Sequence, residues 1–129
     1  MEMGWNLRRL AYAIAFSSIF LTIAPRAPAQ VELITFDHPF EAQKLAGVAL
    51  DASGASVIGV LVEDCDSTFK RVLASAWTDE NGHFAFRRAK TGTTHYLRIS
   101  KGGFDPMHIE VRVTNAGEPD LKIQLHIAT

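Results

Sequence analysis

An all-β fold is predicted, a seven-stranded antiparallel Greek-key sandwich, and three observations carry the prediction. Short segments rich in β-branched and aromatic residues recur about every ten residues, with Gly, Asn, Asp and Pro between them. The final two alternate strictly: Ile109, Val111 and Val113 oppose Glu110 and Arg112, and Leu121, Ile123, Leu125 and Ile127 oppose Lys122, Gln124 and His126. Each therefore offers one face to a core and the other to water. No window of about 11 residues in the domain shows the periodicity of an amphipathic helix.

The N-terminus is set apart before the fold is considered. Arg8 and Arg9 precede an apolar run from Leu10 to Ala24, followed by Pro25-Arg26-Ala27-Pro28-Ala29. A basic start, an apolar middle and small residues two apart make a signal peptide over residues 1–29, cleaved between Ala29 and Gln30. Ser17, Ser18 and Thr22 interrupt the run, which falls short of the ~20 apolar residues a membrane span needs, so a cleaved leader is expected rather than an anchor. The destination is secreted or periplasmic.

Residues 30–43 read as a lead-in. Val31 to Phe36 has strand composition, but Asp37-His38-Pro39 stops it. A single domain over 44–129 follows, with strands expected at Leu45–Leu50, Val57–Glu63, Lys70–Thr78, His83–Arg87, Thr94–Ser100, His108–Val113 and Leu121–Ile127. The turn signals between them have a mechanism. In Asp51-Ala52-Ser53-Gly54 and Asp79-Glu80-Asn81-Gly82 the acid binds its own backbone and Gly takes positive φ. Lys101-Gly102-Gly103 ends the fifth strand sharply, so that Phe104 tucks back over the core edge.

Composition removes several function classes. There are 13 Lys and Arg against 14 Asp and Glu, a formal net charge of −1 without a block of either sign, so no nucleic-acid partner is expected. Arg87-Arg88-Lys90 reads as a solvated loop. The lone cysteine, Cys65, has no internal disulfide partner and is expected to be buried, with Asp64 and Asp66 raising its pKa. His38, His83, His95, His108 and His126 form no short ligand pair and are assigned to wet strand faces; no metal or cofactor is implied. A calcium loop from Asp79 would need a closing Glu where Lys90 stands. No G-x-S-x-G elbow is present, and Asp64, Asp66, Asp79 and Glu80 are placed in loops as solvated charges, so no catalytic residue is assigned. Trp77, before a turn, is expected to cap the core. As an exposed ring it would instead join His95, Tyr96 and Arg98 in a binding site suited to the apolar face of a sugar.

Gly47-Val48-Ala49-Leu50-Asp51-Ala52-Ser53-Gly54-Ala55, Gly59-Val60-Leu61-Val62, Thr78 to Phe86 and Leu97-Arg98-Ile99-Ser100-Lys101-Gly102-Gly103-Phe104 together resemble the carboxypeptidase regulatory-like domain. The match covers about Leu45 to Ile127. The resemblance implies a transthyretin- or prealbumin-like sandwich, of the kind found in exported bacterial proteins and beside some metallocarboxypeptidase domains, acting as a structural or binding accessory module. The chain departs from the family pattern at Ile58, where Pro is usual, at His95, where an aromatic often opens the strand, and at Asp64, usually apolar. Leu121 to Thr129 holds no Asn for the isopeptide crosslink of related adhesin domains, and the ending Leu125-His126-Ile127-Ala128-Thr129 lacks the tail of hydroxyisourate hydrolases. The expected function is a non-catalytic interaction module for a protein or cell-envelope component. A carbohydrate-binding protein and a small secreted hydrolase are the alternatives.

Overall fold

The computed structural model describes residues 30–129; the signal peptide expected over residues 1–29, with cleavage after Ala29, lies outside the described residues. The described chain contains no helix. Its strands are β1 (Ile34–Thr35), β2 (Phe40–Ala42), β3 (Ala46–Leu50), β4 (Leu61–Cys65), β5 (Val72–Trp77), β6 (His83–Ala85), β7 (Thr94–Ser100), β8 (Met107–Val113) and β9 (Leu121–Gln124). They form two sheets. The larger runs β1-β8-β7-β4-β5, with β2 also pairing with β8, and the smaller runs β6-β3-β9.

One core lies between the inner faces. Val62, Leu97, Ile99, Met107, Ile109 and Val111 from the larger sheet meet Ala49, Phe84, Leu121, Ile123 and Leu125 from the smaller sheet and its continuation. Inward aliphatic side chains of this kind contribute about 1.5–3 kcal/mol each when fully buried. The alternation read in β8 holds, and that of the last strand holds through Leu125, where every inward position is buried; β9 ends at Gln124, and Ile127, expected inward, is 64% exposed. Phe104 packs against this core and bridges to Ile127, after a turn in which its amide donates to the Lys101 carbonyl.

The wholly antiparallel, seven-stranded arrangement is corrected. β1 and β2 pair parallel with β8, and β3 pairs parallel with β9. Alternation identifies the buried face of a strand but not the direction of its neighbour, which tertiary contacts between distant segments select. The two extra strands come from residues 30–43. Asp37-His38-Pro39 does end β1, yet the chain resumes as β2 along the same edge, too briefly for any periodicity to announce it. β4 begins later than expected because Gly59, at φ 73°, turns the chain first, and Val57 donates instead to the Ala49 carbonyl.

Candidate functional site

Three turns share one hydrogen-bond plan. The Asp51 Oδ1 accepts from the Ser53 and Ala55 amides, and the Asp79 Oδ1 from the Asn81 and His83 amides. The amides of Gly54 and Gly82 close the turns on the Asp51 and Asp79 carbonyls. Asp66 repeats the plan with Thr68 and Lys70, but the residue that closes the turn is Phe69, held at φ 59° where the other two have glycine. A side chain in this region costs roughly 1–2 kcal/mol. Phe69 is retained there by its surroundings: its ring stacks on His108 at 4.0 Å and meets Tyr96 edge-on at 5.8 Å, while its carbonyl accepts from Arg98 Nη1 at 2.9 Å. Phe69→Ala is therefore expected to be less stable than Phe69→Gly by about 1 kcal/mol, the reverse of the usual order, because both lose the ring and only alanine keeps the strain. Urea denaturation of the two variants measures the difference.

Phe69 lies over the outer face of the larger sheet. Pairing places Glu63 beside Arg98, Arg98 beside His108, and Tyr96 between Cys65 and Glu110. Arg98 Nε donates to Glu63 Oε1 at 3.0 Å, and this bond raises the guanidinium pKa further. Burial, then the Arg98 charge, pushes the His108 imidazole below its ordinary pKa. Since the unfolded chain then binds more protons than the folded one, stability falls as pH drops below the ordinary histidine value of about 6.5, and is recovered above it. His108→Gln is expected to flatten stability between about pH 7 and pH 5, as read by melting temperature. Cys65 is buried and its thiol pKa raised, as expected, although burial rather than Asp64 and Asp66 is the main cause.

The next row of this face holds Trp77, paired across Leu61 from Ser100. Trp77 does not cap the core: it is 64% exposed, because β5 is an edge strand and the ring belongs to its outward set. It stands at a groove of about 510 Å³, shared with Leu61, Ser100, Lys101, Phe104 and Pro106. Apolar surface dominates this lining; Ser100 and Lys101 supply its polar side chains, and Lys101 Nζ lies over Gly59.

His95 is separated from the other three expected site residues. Tyr96, Arg98 and Trp77 share the outer face, whereas His95 has the parity of Leu97 and Ile99 and points inward. Its Nδ1 faces Asp64 Oδ2 at 2.9 Å, and its Nε2 faces Thr93 Oγ1 at 2.9 Å. Asp64 is thus a buried strand residue rather than a loop charge, and His95 is not on a wet face. His95 and Asp64, two of the positions at which the chain departs from the pattern it resembles, are each other's partners. A hydroxyl, an imidazole and a carboxylate in line have the connectivity of a nucleophile, base and orienting acid. Here the Thr93 hydroxyl donates its single proton to the Lys90 carbonyl at 2.6 Å, so that proton is engaged by the backbone rather than by the imidazole. Nearby amides of Gly92 and Thr93 are already bonded, to the Val113 and Lys90 carbonyls. The arrangement ties β4 and β7 to the loop before β7.

Among the described residues no three His, Cys, Asp or Glu side chains converge as metal ligands. Arg87, Arg88 and Lys90 are exposed, as a solvated loop requires. Sequence reasoning missed Phe69, Glu63 and His108: without glycine the Asp66 turn lacks its signature, and the outer face is assembled by cross-strand pairing. No family model matches the chain, and no curated protein matches it.

Proposed function

We propose that this protein is an exported, non-catalytic interaction module of the carboxypeptidase regulatory-like kind, secreted or periplasmic, with the groove beside Trp77 as its binding surface. The observation that carries the reading is Trp77 itself. A large aromatic ring left 64% exposed at a concave, mainly apolar site has a role other than packing. The lining favours an apolar side chain of a protein partner, with Lys101 beside it for an acidic group. The second reading is a cell-envelope glycan stacked on the ring, which the exposed indole favours, although no carboxylate or amide side chain lines the groove to grip sugar hydroxyls. The committed proton of Thr93 supports the non-catalytic reading over a small hydrolase.

In a chain lacking residues 1–29, Trp77 is the only tryptophan, so its fluorescence reports this site alone. Titration with peptidoglycan fragments and with acidic, aromatic-containing peptides is expected to shift its emission to the blue for one of the two classes. Trp77→Ala is expected to leave stability within about 0.5 kcal/mol and to abolish that ligand's stabilisation of the fold. A loss of folding on this substitution, or a melting shift that survives it, counts against the groove.

A further inference from the structure

We infer that β5 is a self-association edge: two copies pair antiparallel through it, about a two-fold axis at Ser75, and join their larger sheets into one. This goes beyond the groove and does not depend on what fills it. Among the described residues β5 pairs with β4 on one side and with no strand on the other. Its sequence, Val-Leu-Ala-Ser-Ala-Trp, has no proline and no charge, and every residue except Ala76 is exposed, Leu73 at 61% and Trp77 at 64%. Such an edge is a template for another strand. The opposite edge of the sheet is covered along β8 by β1 and β2, and the smaller sheet ends in the short strands β6 and β9. A bulge where β5 meets Cys65 bends only the start of the strand and leaves Ala74 to Trp77 in regular register with β4.

The occupant follows from register and charge. The Thr78 amide donates to the Val60 carbonyl, so alternation turns the Ala76 and Ala74 amides toward β4 and those of Ser75 and Trp77 outward. An antiparallel partner must oppose outward residues to outward residues, and a two-fold at Ser75 does so, with Ala74 against Ala76 and Trp77 against Leu73 of the second copy. Lys70 and Arg71 precede the strand, while Asp79 and Glu80 follow it, all exposed. Lys70, Arg71, Asp79 and Glu80 form no ion pair among the described residues. Antiparallel pairing of two copies brings the basic end of each beside the acidic end of the other; parallel pairing would set like charges together. The strand is therefore complementary to itself. The groove is lined by Trp77 of β5, Leu61 of β4 and Ser100 of β7 on the outer face, so the pair would present two binding sites on one continuous face.

Ser75→Cys in the full chain tests this directly. Hydrogen-bonded antiparallel partners have Cα atoms about 5.5 Å apart, within disulfide reach. Mild oxidation is expected to give a dimer that dithiothreitol reverses, whereas wild type, with Cys65 buried, and Thr35→Cys on the other edge stay monomeric on a denaturing gel. In sedimentation velocity from about 10 μM to about 1 mM, wild type should pass from monomer to dimer, and Ser75→Lys, with like charges on the axis, should remain monomeric. A chain that is monomeric throughout overturns the proposal. So does a dimer unchanged by Ser75→Lys, equal crosslinking through Thr35→Cys, or open-ended assembly, which a two-fold contact cannot produce.

Discussion

Replacing Asp64 with alanine is expected to cost about 3 kcal/mol of stability, lowering the melting temperature by roughly 12–24 °C for a domain of this size. The carboxylate and the His95 ring are mostly buried, with side-chain exposures of 13% and 20%. His95 Nδ1 meets Asp64 Oδ2 and Nε2 meets the Thr93 hydroxyl, so the three side chains form one part-buried hydrogen-bonded chain anchored on the Lys90 carbonyl. Removing the acid leaves the mostly buried imidazole Nδ1 without its partner under the loop before β7. Asp64→Asn keeps an acceptor and should lose less. The decisive variant is the double replacement Asp64→Leu/His95→Leu, expected to recover most of the loss, since replacing both partners of a buried hydrogen bond by apolar groups can be nearly neutral or stabilising. Thermal melts of wild type, Asp64→Leu, His95→Leu and the double variant close the cycle; a single variant as stable as wild type would show that the pair is idle.

Gly47→Ala is expected to be nearly as damaging, at about 3 kcal/mol, the upper end of overpacking. Gly47 sits in β3 between Phe84 of β6 and Leu121 of β9. An added Cβ would collide with the Leu121 carbonyl oxygen and lie 2.7 Å from the Leu121 Cβ. The obstacle is backbone in the parallel β3–β9 ladder, so a rotamer change cannot relieve it and the strands must separate. Gly102→Ala is the matched control, with nothing within 4 Å and an ordinary φ, and should stay within about 0.5 kcal/mol. Urea midpoints measure both. Equal stability of the two variants would mean that β9 yields without cost.

The module reading and the edge reading meet at Trp77, which lines the groove on one side and ends the open strand on the other. A dimer through β5 would give an otherwise small binding surface two sites, and avidity for a repeating envelope component follows if its spacing allows both to engage.

Short-range chemistry was legible in the chain. Alternation in Ile109 to Val113 and in Leu121 to Leu125 identified buried faces, and the Asp-x-x-Gly turns at Asp51 and Asp79 announced themselves, because side-chain parity and positive φ are properties of neighbouring residues. Distant partners were not legible. Nothing local distinguishes a parallel β9 from an antiparallel one, or marks Phe40 to Ala42 as a strand, and the strand composition of Val31 to Phe36 does not say which neighbour it pairs with, since the hydrogen bonds of both segments are supplied by β8. The four residues grouped by chemistry as a site divided for the same reason. Successive residues of β7 point to opposite faces, which sends His95 to Asp64 and leaves Tyr96 and Arg98 outside, while the position of β5 at the sheet edge, decided by tertiary pairing alone, put Trp77 in water instead of in the core.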